Sequence, residues 1–154
     1  MITPETVVAA IVTKLTTVEA KAALGITTAV EGSEDMKSED LTPPYCVVWS
    51  DFNEDALLTD DGTPNNIPVD IVIACVSNEH KTVKESFNEA FILAVEVIKL
   101  VHDEYELPSY EDELVDEFIR VKCKSVPLKI GRKSAAISSV LTYFKYEIPL
   151  INNE

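Results

Sequence analysis

The stretch Val69-Asp70-Ile71-Val72-Ile73-Ala74-Cys75-Val76 decides the fold. In an extended chain, Val69, Ile71, Ile73 and Cys75 fall on one side and Val72, Ala74 and Val76 on the other. A strand that is apolar on both faces lies inside its sheet and is covered on both sides. The pattern predicts this strand over about 67–77. A long helix follows over 80–104, where Val83, Phe87, Ala90, Phe91, Ala94, Ile98 and Val101 recur at three and four. Ile92, Leu93, Val95, Val97 and Leu100 widen the stripe in its second half. Such a helix packs across a sheet and touches a second surface as well.

Working back toward the N-terminus, Tyr45, Val47 and Trp49 alternate with Cys46, Val48 and Ser50, which predicts a strand over about 45–53. Asp60-Asp61-Gly62-Thr63-Pro64-Asn65-Asn66 is a turn cluster between the two strands. Residues 3 to about 17 read as a helix with Thr3 as N-cap and Pro4 in its first position. Val8, Ile11, Val12 and Leu15 make its buried face. Val18–Leu24 either continues that helix after a break or forms a second short one, and Gly25 closes it. Residues 26–43 are polar and aperiodic, a loop with weak strand content.

Toward the C-terminus, residues 103–117 are acidic and broken by Pro108. Two further strands are expected, over about 118–130 and 136–149, with Gly131-Arg132-Lys133-Ser134 as their hairpin turn. The expected order is α-β-β-α-β-β. That is an α+β domain, with an antiparallel or mixed sheet sandwiched with an N-terminal helix and one long helix, in a single unit over 1–154.

Acids outnumber bases 27 to 13, for a formal charge of −14. A uniformly acidic chain is a poor nucleic-acid binder, because neutralising phosphates needs Lys and Arg on the contact face. The charge is not uniform, however. Residues 118–146 contain Arg120, Lys122, Lys124, Lys129, Arg132, Lys133 and Lys145 and no acid at all. Three readings are open for this basic hairpin. It is a solvated element balanced by acids of its own chain, an edge that meets an acidic surface on a neighbouring copy, or a hairpin that tracks DNA phosphates. The acidic remainder favours a protein partner over DNA. No run reaches the ~18 apolar residues of a membrane span. The N-terminal residues show no basic region and no signal-peptide core. Three cysteines without a CxxC pair read as reduced thiols.

Chemistry-bearing motifs are incomplete. Pro68-Val69-Asp70 and Glu79-His80-Lys81 resemble a nuclease arrangement in which two carboxylates hold a Mg²⁺ beside a lysine. Nine residues of extended chain span about 30 Å, too far for Asp70 and Glu79 to share an ion. His80 and His102 fall at opposite ends of the long helix, about 33 Å apart, and read as structural. Cys46, Cys75 and Cys123 read as small buried hydrophobes. Gly131-Arg132-Lys133-Ser134 lacks the upstream glycine and the following helix of a phosphate loop. No catalytic residue, cofactor or metal is expected, and the chain does not read as an enzyme.

The element order, the Pro44-flanked strand from Tyr45 to Trp49, the Val69–Val76 strand running into the long helix, and the closing strand Leu141-Thr142-Tyr143-Phe144-Lys145-Tyr146-Glu147-Ile148 together resemble the tail terminator and tail completion proteins of long-tailed bacteriophages. The resemblance spans about residues 3–149 and is one of order and size, without a signature motif. It implies an α/β sandwich whose copies form a hexameric ring. That ring caps the tail tube and offers a surface to the head connector. The location it implies is the virion tail or neck, assembled in the host cytoplasm. Arg120, Lys122, Lys124, Lys129, Arg132 and Lys133 are then the interface candidates, with the 54–66 loop as a second contact. Two alternatives belong to other classes. One is a small acidic assembly or secretion chaperone, a dimer with an apolar groove. The other is a Mg²⁺-dependent nuclease using Asp70 and Glu79.

Overall fold

The strand at the centre of the sequence reading extends from Pro64 to Val76. Ile71, Val72, Ile73 and Cys75 in it have no exposed surface. The computed structural model describes residues 3–32, 41–52, 57–58, 64–103, 114–130 and 133–149. Side chains are described over 3–32, 41–51, 70–101 and 136–144. The elements are α1 (Pro4–Leu15), α2 (Val18–Leu24), β1 (Thr28–Glu31), β2 (Tyr45–Phe52), β3 (Leu57–Leu58), β4 (Pro64–Val76), α3 (Val83–Asp103), β5 (Leu114–Ile130) and β6 (Lys133–Pro149). The class is α+β with a mixed sheet. The strands are ordered β1-β2-β4-β6-β5, and β3 pairs with β4. β1 runs parallel to β2, and every other pairing is antiparallel.

The register explains why β4 had to be apolar on both sides. Cys46 stands opposite Cys75, Val48 opposite Ile73, and Ile71 opposite Phe144. These residues form one face, and the helices pack on it. Val7, Val8, Ile11 and Leu15 of α1 and Ala90, Leu93, Ala94, Val97 and Val101 of α3 belong to that same cluster. The i, i+3, i+4 spacing of both helices thus buries them on one side of the sheet. Tyr45, Val47, Trp49, Val72, Ala74, Val76, Ile137, Leu141 and Tyr143 form a second buried cluster on the opposite face.

Helix boundaries follow from local hydrogen bonding. The Thr3 hydroxyl accepts from Thr6 N–H at 3.2 Å, and Thr3 N–H donates back to Thr6 Oγ1 at 3.4 Å. This reciprocal cap satisfies two of the free donors at the start of α1. Thr17 caps α2 by accepting from Ala20 N–H. Gly25 ends α2 at φ 69°, a left-handed conformation that a Cβ disfavours. α2 is therefore a separate short helix.

The structure differs from the sequence reading in six places, the first being that β4 starts at Pro64, inside the stretch read as a turn cluster, rather than at about 67. α3 begins at Val83 rather than at residue 80, because Thr82 Oγ1 accepts from Glu85 N–H and sets the N-terminus there. His80 consequently lies outside the helix and not at its end. The polar 26–43 segment holds a true strand, β1, whose Ala29 is buried while its neighbours are only partly covered. β3 is a two-residue strand that no period could mark. β5 starts at Leu114, inside the stretch read as an acidic break, and keeps pairing through register shifts around Phe118. β6 starts at Lys133 rather than at 136. The acidic stretches 33–40 and 104–113, most of the 54–66 loop and the Gly131-Arg132 turn lie outside the described residues.

Two substitutions test this framework in urea unfolding. Ile73→Ala removes buried atoms from the strand that carries both cores and is expected to cost about 2–5 kcal/mol. Gly25→Ala meets no atom within 4 Å. Its expected cost of about 1–2 kcal/mol is therefore backbone strain alone. An unchanged midpoint for Gly25→Ala would mean that α2 ends differently.

Candidate functional site

Where β4 ends, the chain crosses to α3 through a polar joint. Ser77, Ser86 and Ser138 are fully buried there. Ser77 N–H donates to Ser138 O at 3.0 Å, and Ser138 N–H donates to Ser77 Oγ at 3.1 Å. Ser86 Oγ donates to Val83 O at 2.9 Å and lies 2.7 Å from Ser138 Oγ. The three serines thus satisfy one another and the backbone inside the core, which removes the cost of burying them. Three residues on, His80 N–H donates to Ala136 O at 3.0 Å and Ala136 N–H donates to His80 O at 2.8 Å. This bridge ties the beginning of β6 to the β4–α3 crossing.

The His80 ring sits between two carboxylates of α3. Nε2 contacts the Glu89 carboxylate, and Nδ1 is 3.8 Å from Glu85 Oε2. Asn78 N–H and Nδ2 donate to the other Glu89 oxygen at 3.3 and 3.1 Å. Glu85 and Glu89 are four apart and so share a helix face. A cleft of about 520 Å³ opens beside them, lined by Pro43, Asn78, Glu79 and His80. With both ring nitrogens facing acids and the serines engaged with one another, the arrangement acts as a clamp on the chain crossing. Its signal in the sequence was the Asn78, His80, Glu85, Glu89 spacing. Reading His80 as a helix end concealed it.

The cysteines of the central ladder behave as buried hydrophobes. Cys46 and Cys75 are free thiols, fully buried, with sulfurs 4.0 Å apart. The Cys46 thiol beside it and the burial of both push Cys75 well above the usual thiol range. The thiolate, the reactive form, is thereby disfavoured. Cys123 stands opposite Val140 on β5, and its side chain lies outside the described residues. So does that of His102, in the last turn of α3.

Asp70 sits in β4 opposite Asp51, and Glu79 is exposed three residues beyond the end of that strand. Between them the chain runs extended as far as Val76, the end of β4. Among the described residues, no three His, Cys, Asp or Glu side chains are grouped to hold a metal ion. No described helix is long and apolar enough to cross a membrane.

The interface candidates share one hairpin. Arg120, Lys122, Lys124 and Lys129 lie on β5, and Lys133 opens β6. Lys122 pairs with Leu141, Lys124 with Ser139 and Lys129 with Ser134. Arg132 and the side chains of the other five lie outside the described residues. β5 ends the strand order, so Arg120, Lys122, Lys124 and Lys129 lie along a sheet edge. The wide stripe of the long helix, read in the sequence as touching a second surface, is partly exposed in the described residues. Val83, Phe91 and Ile92 of α3 are exposed, and Phe87 is half-buried beside them. Their spacing matches that of the core positions, so periodicity cannot separate a wide buried stripe from one that wraps onto the surface.

A double-mutant cycle tests the clamp. His80→Ala and Glu89→Gln are expected to couple by about 1 kcal/mol in unfolding free energy, as groups in contact do. Additive effects would show that the ring and carboxylate act independently. Compared with known proteins, the chain matches no family model and no curated protein sequence.

Proposed function

We propose that the protein is a structural subunit of a long-tailed phage, of the tail terminator or tail completion type. Copies close into a ring that caps the tail tube and presents a surface for head joining. The observation that carries the reading is the division of charge across the fold. One terminal hairpin of the sheet holds seven bases and no acid in 118–146, while the remaining residues hold all 27 acids. Unlike surfaces on one chain favour head-to-tail contact, and head-to-tail contact makes a ring where the rotation between copies closes. The two helices on one face of a mixed sheet support the sandwich that the resemblance implies. A sixfold ring, the tube protein and the head connector as partners, and a place in the virion belong to the same proposal.

Native mass spectrometry and electron microscopy at low and high salt test it. The expected result is a closed ring of uniform copy number that loosens as salt screens the contacts. A strict monomer at high micromolar concentration under every condition would overturn the self-assembling ring.

A further inference from the structure

We infer that Cys46 and Cys75 are a modification site, at which a small-molecule disulfide oxidises the pair and joins β2 to β4 by one covalent bond. The two residues stand directly opposite each other in the antiparallel β2–β4 ladder. Both belong to the buried cluster under α1 and α3, so their side chains share one face of the sheet. Opposed residues of such a ladder have Cα atoms about 4.5–5.5 Å apart, inside the window of about 4.4–6.8 Å that a disulfide spans. The sulfurs are 4.0 Å apart. Reaching a bonded distance of about 2.05 Å takes a movement of about 1 Å from each, which side-chain rotation supplies while both strands stay in register.

The ladder also excludes the third cysteine. Cys75 pairs with Val140 of β6, which pairs in turn with Cys123 of β5. Cys123 is therefore two strand spacings from Cys75 and three from Cys46, roughly 10 and 14 Å. Both exceed the ~7 Å limit for bridging without backbone movement. The oxidation is a two-step exchange. One cysteine thiolate attacks glutathione disulfide, forms a mixed disulfide and releases one glutathione thiolate. The other cysteine thiolate then attacks the protein-side sulfur and releases the second. Two thiol protons and two electrons leave the protein, and the oxidant ends as two molecules of glutathione. In the folded core the thiolate of Cys75 is disfavoured by the neighbouring Cys46 and by burial. The exchange therefore belongs to the folding chain, before α1 and α3 close over the pair. The covalent loop 46–75 then contains most of β2 and β4. Closing it removes freedom from the unfolded state and so stabilises the fold.

The test refolds the full chain from urea in a mixture of reduced and oxidised glutathione, beside the same chain refolded with dithiothreitol. The oxidised chain is expected to be two hydrogens lighter, with peptide mapping linking Cys46 to Cys75. Of its three cysteines, only Cys123 should react as a free thiol after denaturation. Its urea midpoint should stand about 1–2 M above that of the reduced chain, and dithiothreitol added with the urea should abolish the difference. Cys123→Ser should form the same link and leave no free thiol. Cys75→Ala should keep both remaining thiols; if it does not fold, Cys123→Ser decides alone, since its only possible internal link is the one assigned. A link that includes Cys123, or a chain that refolds in the glutathione mixture with all its thiols free, would overturn the pairing. A Cys46–Cys75 link with an unchanged or lower midpoint would overturn it too, because the bond would then distort the ladder it is said to fit.

Discussion

Strand β4 must be dry on both faces, and the arrangement of the other elements answers that demand. Its inner ladder with β2 and β6 places one set of apolar side chains under α1 and α3 and the other set in the opposite cluster. Removing water from both sides of one strand is a large hydrophobic gain. It also explains why β4 lies between β2 and β6 and not at an edge.

That burial leaves a polar problem where β4 leaves the sheet. The backbone must turn toward α3 while still inside the protein, and its N–H and C=O groups need partners there. Ser77, Ser86 and Ser138 supply them, and the His80–Ala136 bridge continues the solution outward. One joint therefore orients both the long helix and the basic hairpin. The relation between the α3 stripe and the sheet edge is set by hydrogen bonds within the core rather than by surface contacts.

Much of this was legible in the sequence, and the failures have physical causes. The alternation in 45–53 and the run apolar on both faces in 69–76 reported both central strands. Thr3, Pro4 and Gly25 marked helix ends, because caps depend on local chemistry. β1 registered only as weak strand content, because a four-residue strand with a single buried residue has no readable period. The start of β5 escaped because acidic residues near 111–117 disguise an extended chain whose register shifts also break its alternation. The local half of the clamp, Asn78 and His80 with Glu85 and Glu89, had a signal in the sequence, whereas Ser138 and Ala136 reach Ser77 and His80 only through tertiary folding. The basic hairpin was legible as charge; its position at the sheet edge needed the strand order.

The Cys46–Cys75 rung adds a property of its own. The two thiols occupy the same level of adjacent strands in the middle of the sheet, and neither has surface in the native state. Neither sulfur meets a solvent reagent while β2 and β4 remain zipped and α1 and α3 remain seated. Alkylation at this rung therefore counts rare large-scale openings and ignores fraying at loops and edges. The core contains its own clock for how often the whole sheet comes apart.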